Sequence, residues 1–309
     1  MVGVDSTHRY ALPKSGYERE FSWDPWGSYG VTHDNCYDYA FGSFSDNRVV
    51  KSVPGAAAKM SSNKLTFRNC DGIVKLVLAD NPKRVYHMKN PNARPRPGFY
   101  KVMCFVAPTN DFGDSFGDFH WYAQMGSVRY RTVLGDTVEK VAKLFHVKPA
   151  VVLAAAKRST PPKSNSDGKI ATANTNVKRP VSLVKGTPLT PGRIIRFPVN
   201  LWSHKQGHAS GPLMIDASGK TIVDPRRSDR KWKPGFHYTK FCAAYGVMRG
   251  AVRTGNITNG NTVRNVNTPR RANGTINKPV NKNRRPVVNG NKNKNSRPAG
   301  NTNRRKNLA

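Results

Sequence analysis

The segment His33-Asp34-Asn35-Cys36-Tyr37-Asp38-Tyr39-Ala40 sets a cysteine behind polar, turn-favouring residues and at the head of an apolar run. Asp34 or Asn35 can cap a helix here, and Cys36 then lies in its first turn, with the helix running toward Phe44. A thiol in that place faces the positive end of the helix dipole and unpaired N–H groups. Both favour the nucleophilic thiolate, and the same N–H groups can hold an oxyanion. The alternative is a buried structural cysteine, the usual fate of the residue.

The chain beyond it alternates between short helices and apolar strands. Gly72 to Asp80 has helical apolar spacing and ends before Pro82; Asp71 can cap it, and Cys70 reads as packing. Residues 81–98 form a Pro- and Arg-rich loop. Phe99 to Ala107 reads as a buried strand between Pro97-Gly98 and Pro108, with Cys104 in its core. A Gly/Asp loop, Asp111 to Asp118, delivers an aromatic strand, Asp118 to Gln124, that begins with His120. Tyr130 to Phe145 reads as a strand, a tight turn and an amphipathic helix capped by Asp136 or Thr137. Its Val138, Val141, Ala142, Leu144 and Phe145 share one face. Pro149 is suited to open the next helix, through Val151 to Ala156. A polar insertion follows, from about Lys157 to Lys185. Then come a turn and strand (Leu189 to Pro198), a strand from Leu201 to His208, a hairpin around Ser218-Gly219, and a last apolar strand from Tyr238 to Val247 with Cys242 buried. Residues 1–30, with Tyr17, Phe21, Trp23, Trp26 and Tyr29, form an aromatic arm that either packs on the domain or is a loosely ordered leader.

Charge separates the end of the chain from the rest. The sequence carries 52 Lys and Arg against 18 Asp and Glu, a net charge of +34. From Arg249 onward there are 15 basic residues, 16 asparagines, no acid and no aromatic ring. Such a stretch buries too little apolar area to offset its ordering entropy, so alone it is expected to be disordered. Its charge can neutralise phosphates without regard to sequence.

The four cysteines, Cys36, Cys70, Cys104 and Cys242, show no C-x-x-C spacing and make no disulfide framework. No metal-ligand constellation is evident, so no cofactor is expected. The first residues lack the apolar region of a secretion signal, and no apolar run reaches the ~18 residues of a membrane span. The sequence reads as an intracellular product, unless it is released by lysis or carried in a particle.

A helix opening on cysteine, antiparallel strands after it and a histidine at the start of a strand resemble the papain-like cysteine hydrolases. Asn35-Cys36-Tyr37-Asp38-Tyr39-Ala40, Phe119-His120-Trp121-Tyr122 and Trp202-Ser203-His204-Lys205 are similar to the NlpC-type and CHAP-type amidase branch, in a group found in bacteria and viruses. The resemblance implies Cys36 as nucleophile, His120 as general base and His204 as the group that fixes the His120 tautomer, with His208 and Asp216 as fallback third members. Gly135-Asp136-Thr137 and Leu189-x-Pro191-Gly192 resemble a LysM module, a βααβ unit that in its family binds N-acetylglucosamine polymers such as peptidoglycan and chitin, or serves as a structural module. The insertion at 157–185 departs from that family, which has a short connection there, and falls near the expected sugar groove.

The resulting expectation is an α+β chain. A papain-like domain (31–127 and 200–248) follows an N-terminal arm (1–30). A LysM module (128–199) is inserted at a hairpin turn, where few buried contacts cross. A basic tail (249–309) ends the chain, disordered or ordered by a partner. Two functions are implied. One is a thiol hydrolase of the amidase or peptidase kind, acting on cell-wall peptides. The other is a minor capsid protein of a large DNA virus, using both modules as scaffold and the tail to bind capsid partners or DNA, located in the virion or host cytoplasm.

Overall fold

The computed structural model describes residues 11–44, 52–62, 64–113, 117–159 and 186–250, with Val252, Thr254 and 264–265. Most of the polar insertion and most of the tail lie outside the described residues. Among these, the fold is mixed helix and sheet, built on a seven-stranded sheet.

Six strands lie side by side in the order β3 (Val85–Met88), β10 (Lys240–Met248), β4 (Phe99–Ala107), β6 (Asp118–Arg131), β7 (Ile194–Lys205) and β8 (Pro212–Leu213). All these pairings are antiparallel. The seventh strand, β1 (Arg19–Phe21), pairs in parallel with β6 at Met125 to Val128, continuing the edge that β4 leaves at Ala123. The arm is therefore part of the sheet. Trp26 and Phe21 pack on the core, while Tyr17 and Trp23 stay exposed. Shorter pairs join β2 (Ser43–Phe44) to β11 (Arg264–Asn265), and β5 (Thr109–Asn110) to β9 (Phe236–His237).

Side-chain alternation explains why the central strands read as continuous apolar runs: both faces are covered. Val102, Cys104, Val106, Phe119, Trp121, Ala123 and Tyr245 face one core. Met103, Phe105, Tyr122, Trp202 and Ala244 face the other. α1 (Cys36–Phe41) covers the first core, where the Tyr37 ring lies 5.0 Å and the Phe41 ring 5.4 Å from Trp121. α2 (Lys64–Asn69) and α3 (Ile73–Asp80) border the same core. α4 (Val138–Leu144) and α5 (Pro149–Arg158) cover the far half of β6 and β7, with Phe145 5.3 Å from Phe197.

Several sequence expectations change. The α1 helix stops at Phe41, not Phe44, because Gly42 takes a left-handed conformation (φ 67°) that ends it. Gly72, not Asp71, is the cap of α3. The loop at 81–98 contains β3. The strands expected on either side of the module boundaries are single long strands, so β6 runs through 127/128 and β7 through 199/200. A bulge where β6 passes from Met125 to Ser127 takes up the break at Gly126, where an added Cβ would come within 2.9 Å of Glu18 Cβ. Thr137 caps α4, and Leu144 turns outward, 48 % exposed, rather than joining the buried face. Cys70 and Cys242 form a disulfide across 172 residues, so neither is a plain packing residue, and Cys242 is only partly buried. The tail does not begin at a clean boundary either. Val252 enters the core, and Thr254 bonds to Asp38 of α1. Among the described residues no helix is long and apolar enough to cross a membrane.

Candidate functional site

The site begins with the cap of α1. Asn35 Oδ1 accepts from the N–H groups of Tyr37 (2.9 Å) and Asp38 (3.2 Å), and Asp38 Oδ2 accepts from Asn35 N–H at 3.0 Å. This reciprocal box makes Asn35 the cap and puts Cys36 at the first helical position. It also corrects the expectation of a ring of open N–H donors around the thiol. The box engages those of Tyr37 and Asp38, and only the amide of Cys36 lies outside it. Burial pushes the Asp38 carboxyl up to about 6, against its hydrogen bonds to Thr254 and Asn35.

Cys36 meets the sheet where β6 and β7 separate. Their ladder ends at Ala123↔Ser203, while β4 stays paired with β6 to Asp118. The first residues of β6 thus have an edge not covered by β7. There the Cys36 Sγ–H points at the Phe119 carbonyl, 3.6 Å away. Phe119 and Trp121 face α1, whereas the His120 side chain lies on the opposite face with Tyr122. The contact sets the thiol at the edge of β6 beside Phe119, the residue that precedes His120. Cys36 and His120 are only 3 % and 2 % exposed.

His120 and His204 are brought together directly, with His120 Nε2 2.8 Å from His204 Nδ1. His204 Nε2 lies 2.9 Å from the Ile215 carbonyl. A carbonyl can only accept, so His204 carries its proton on Nε2. Burial holds the His204 imidazole down to about 4, against the Ile215 bond and the nearby Asp216 charge, so it is neutral at pH 7 and its Nδ1 accepts. The donor across that bond is then His120 Nε2–H. In its neutral form His120 then carries its proton on Nε2 and its lone pair on Nδ1, a tautomer suited to a general base. The His120 ring stacks on Tyr238 (4.7 Å between centroids, 29° between planes), and Trp232 lies 5.5 Å from His204.

Comparison with family models, with curated proteins and with solved structures finds no match.

The two fallback residues have other places. His208 lies beyond the end of β7. Asp216 organises its hairpin: Oδ1 accepts from Ser218 N, Ser218 Oγ and Lys220 N, and Oδ2 from Asp229 N. These bonds hold its carboxyl below the usual range although burial works the other way. It acts on His204 through its charge, while His204 donates its Nε2–H to the Ile215 carbonyl. Cys104 is fully buried, and burial pushes its thiol well up. Among the described residues no group of three or more His, Cys, Asp or Glu is placed to hold a metal ion.

Sequence reasoning missed two neighbours of the site. The Tyr122 hydroxyl is buried and has no hydrogen-bond partner among the described residues. Lys205, next to His204, is fully buried and donates to the carbonyls of Val31, Asp34 and Gly207. Its signal was present as a lysine at the end of an apolar strand, a place where lysine is rarely buried without partners.

Proposed function

We infer that this chain is a thiol hydrolase of the amidase or peptidase kind, with Cys36 as nucleophile, His120 as base and His204 as the group that orients it. The observation that supports the reading is the relay from the Ile215 carbonyl through His204 to His120, with Cys36 against the carbonyl of the residue that precedes His120. In the reaction, Cys36 Sγ gives its proton to His120 Nδ1 and attacks the substrate carbonyl. The amide nitrogen leaves with that proton as the tetrahedral intermediate collapses to a thioester. Water, deprotonated by His120, then releases the acid and restores the thiol. The oxyanion requires donors, and the amide of Cys36 is the first-turn group outside the capping box.

The α4–α5 unit with its flanking strands is proposed to be a LysM-like module that binds an N-acetylglucosamine polymer, which would set peptidoglycan peptides or a chitin-like matrix within reach of the thiol. The test is release of amino groups from peptidoglycan by the full chain. Activity that Cys36→Ala abolishes without unfolding supports the reading, and turnover retained in Cys36→Ala ends it.

A second reading is supported by the near-complete burial of Cys36 and His120. Here the site is silent, and the chain is a structural component of a large DNA-virus particle whose basic tail binds capsid partners or DNA. The Cys70–Cys242 disulfide fits a stage outside the reducing cytosol, as in a released particle. Co-fractionation with particles, with no alkylation of native Cys36, is the result this reading requires.

A further inference from the structure

We propose that Lys205 is a positioning residue for Cys36: its ammonium ties down the backbone leading into α1 and sets a positive charge beside the thiolate. The proposal rests on the hydrolase reading above and names a group that reading does not use.

A buried ammonium is expensive unless each N–H finds an acceptor. Lys205 Nζ has three. It donates to Val31 O at 2.9 Å and to Asp34 O, both in the segment that enters α1, and to Gly207 O in the turn after β7. The first two bonds join the end of β7 to the approach of the nucleophile helix. His204 and Lys205 are consecutive, so one strand end fixes both the ring that orients His120 and the backbone that positions Cys36.

Apart from His120, the other groups around Cys36 do little to favour a thiolate. α1 has six residues, and its own cap consumes two first-turn N–H groups. The thiol faces a carbonyl oxygen, that of Phe119. Asp34 and Asp38 lie on its own segment, Cys104 on β4, Tyr122 on β6, and Tyr238 against His120; none of these brings a positive charge. Lys205 does, and its charge couples to Asp34, Cys36 and Asp38. Burial lowers the Lys205 ammonium to about 8, so it is charged at neutral pH and begins to lose its proton just above it. Asp34 is its counter-charge.

The test is alkylation of Cys36 by iodoacetamide in the folded, full-length protein, mapped by mass spectrometry to separate Cys36 from Cys104, from pH 5 to 10. Lys205→Met should alkylate roughly tenfold or more slowly at pH 7, the effect of one unit in thiol pKa. Lys205→Arg, which keeps the charge, should recover most of the rate. If Lys205→Met does not fold, the Asp34→Asn, Lys205→Met pair, which removes both coupled groups, takes its place. A reciprocal readout needs no change at Lys205. In Cys36→Ser the Lys205 ammonium, followed by NMR, should titrate lower than in the wild type, because coupling acts equally in both directions.

A wild-type thiol that reacts well below pH 8.5, with a folded Lys205→Met of identical profile, overturns this inference and leaves the hydrolase reading standing. A Cys36 inert at every pH overturns the hydrolase reading and the role of Lys205 with it.

Discussion

Replacing His204 by asparagine should change how the fold responds to acid. His204 is buried and held down to about 4, against 6.5 when exposed. Between those values the unfolded chain binds a proton that the folded chain does not. Stability from this group is therefore complete above pH 6.5 and is lost as pH falls toward 4. The 2.5-unit gap corresponds to about 3 kcal/mol at 1.36 kcal/mol per unit. Asp38 works in the opposite direction. Its carboxyl is raised from 3.8 to about 6, so the folded chain binds its proton first and stability rises as pH falls through 6. The two contributions are similar in size, and the wild-type curve alone will hide them. The difference between wild type and His204→Asn isolates the histidine. In urea unfolding at pH 7, 6, 5 and 4, with the disulfide intact, the variant should gain about 3 kcal/mol on the wild type between pH 7 and 4. The physical reason is burial of the His204 ring, and a proton on its Nδ1 would also set two N–H donors face to face across 2.8 Å. Parallel stability curves for the two proteins would refute the neutral His204 and, with it, the tautomer assigned to His120.

Three further outcomes follow from the same geometry. Tyr122→Phe removes a buried hydroxyl without a described partner, so thermal unfolding should show a stability equal to the wild type or higher by about 1 kcal/mol; a loss of 2 kcal/mol would mean the hydroxyl is bonded. Asn35→Ala breaks the capping box of α1 and the 2.7 Å bond to the Ser52 carbonyl, and should lower stability by about 1–2 kcal/mol while slowing Cys36 alkylation. Replacing Cys70 and Cys242 by serine opens a link spanning 172 residues, and the chain-entropy relation gives a loss of about 5 kcal/mol, read as an unfolding midpoint that reductant no longer changes.

How much of this was legible in the sequence depended on whether a residue's role was local. The α1 start, the Phe99–Ala107 strand and the α4 and α5 helices rest on caps, Pro and Gly positions and periodicity, and all are read within a few residues. The pairing of His120 with His204 followed from the resemblance, which treats residues 128–199 as an insertion at a hairpin turn. What could not be read was set by distant partners. Cys70 and Cys242 look like two unrelated apolar positions until α2 and β10 meet. Leu144 fits the helical face by spacing, yet α4 ends there and its side chain points to solvent. β3 hides in a Pro- and Arg-rich loop because its pairing comes from β10, far along the chain. Lys205 reads as the polar end of a strand, and only the fold shows that its ammonium lies under the approach to α1.

The most direct test of the central claim is the pH profile of Cys36 alkylation in the native wild type against His120→Ala. The account predicts reaction that persists well below the free-thiol value of ~8.5 in the wild type and is lost at neutral pH in the variant. Identical profiles in the two proteins, both rising only near that value, would contradict it.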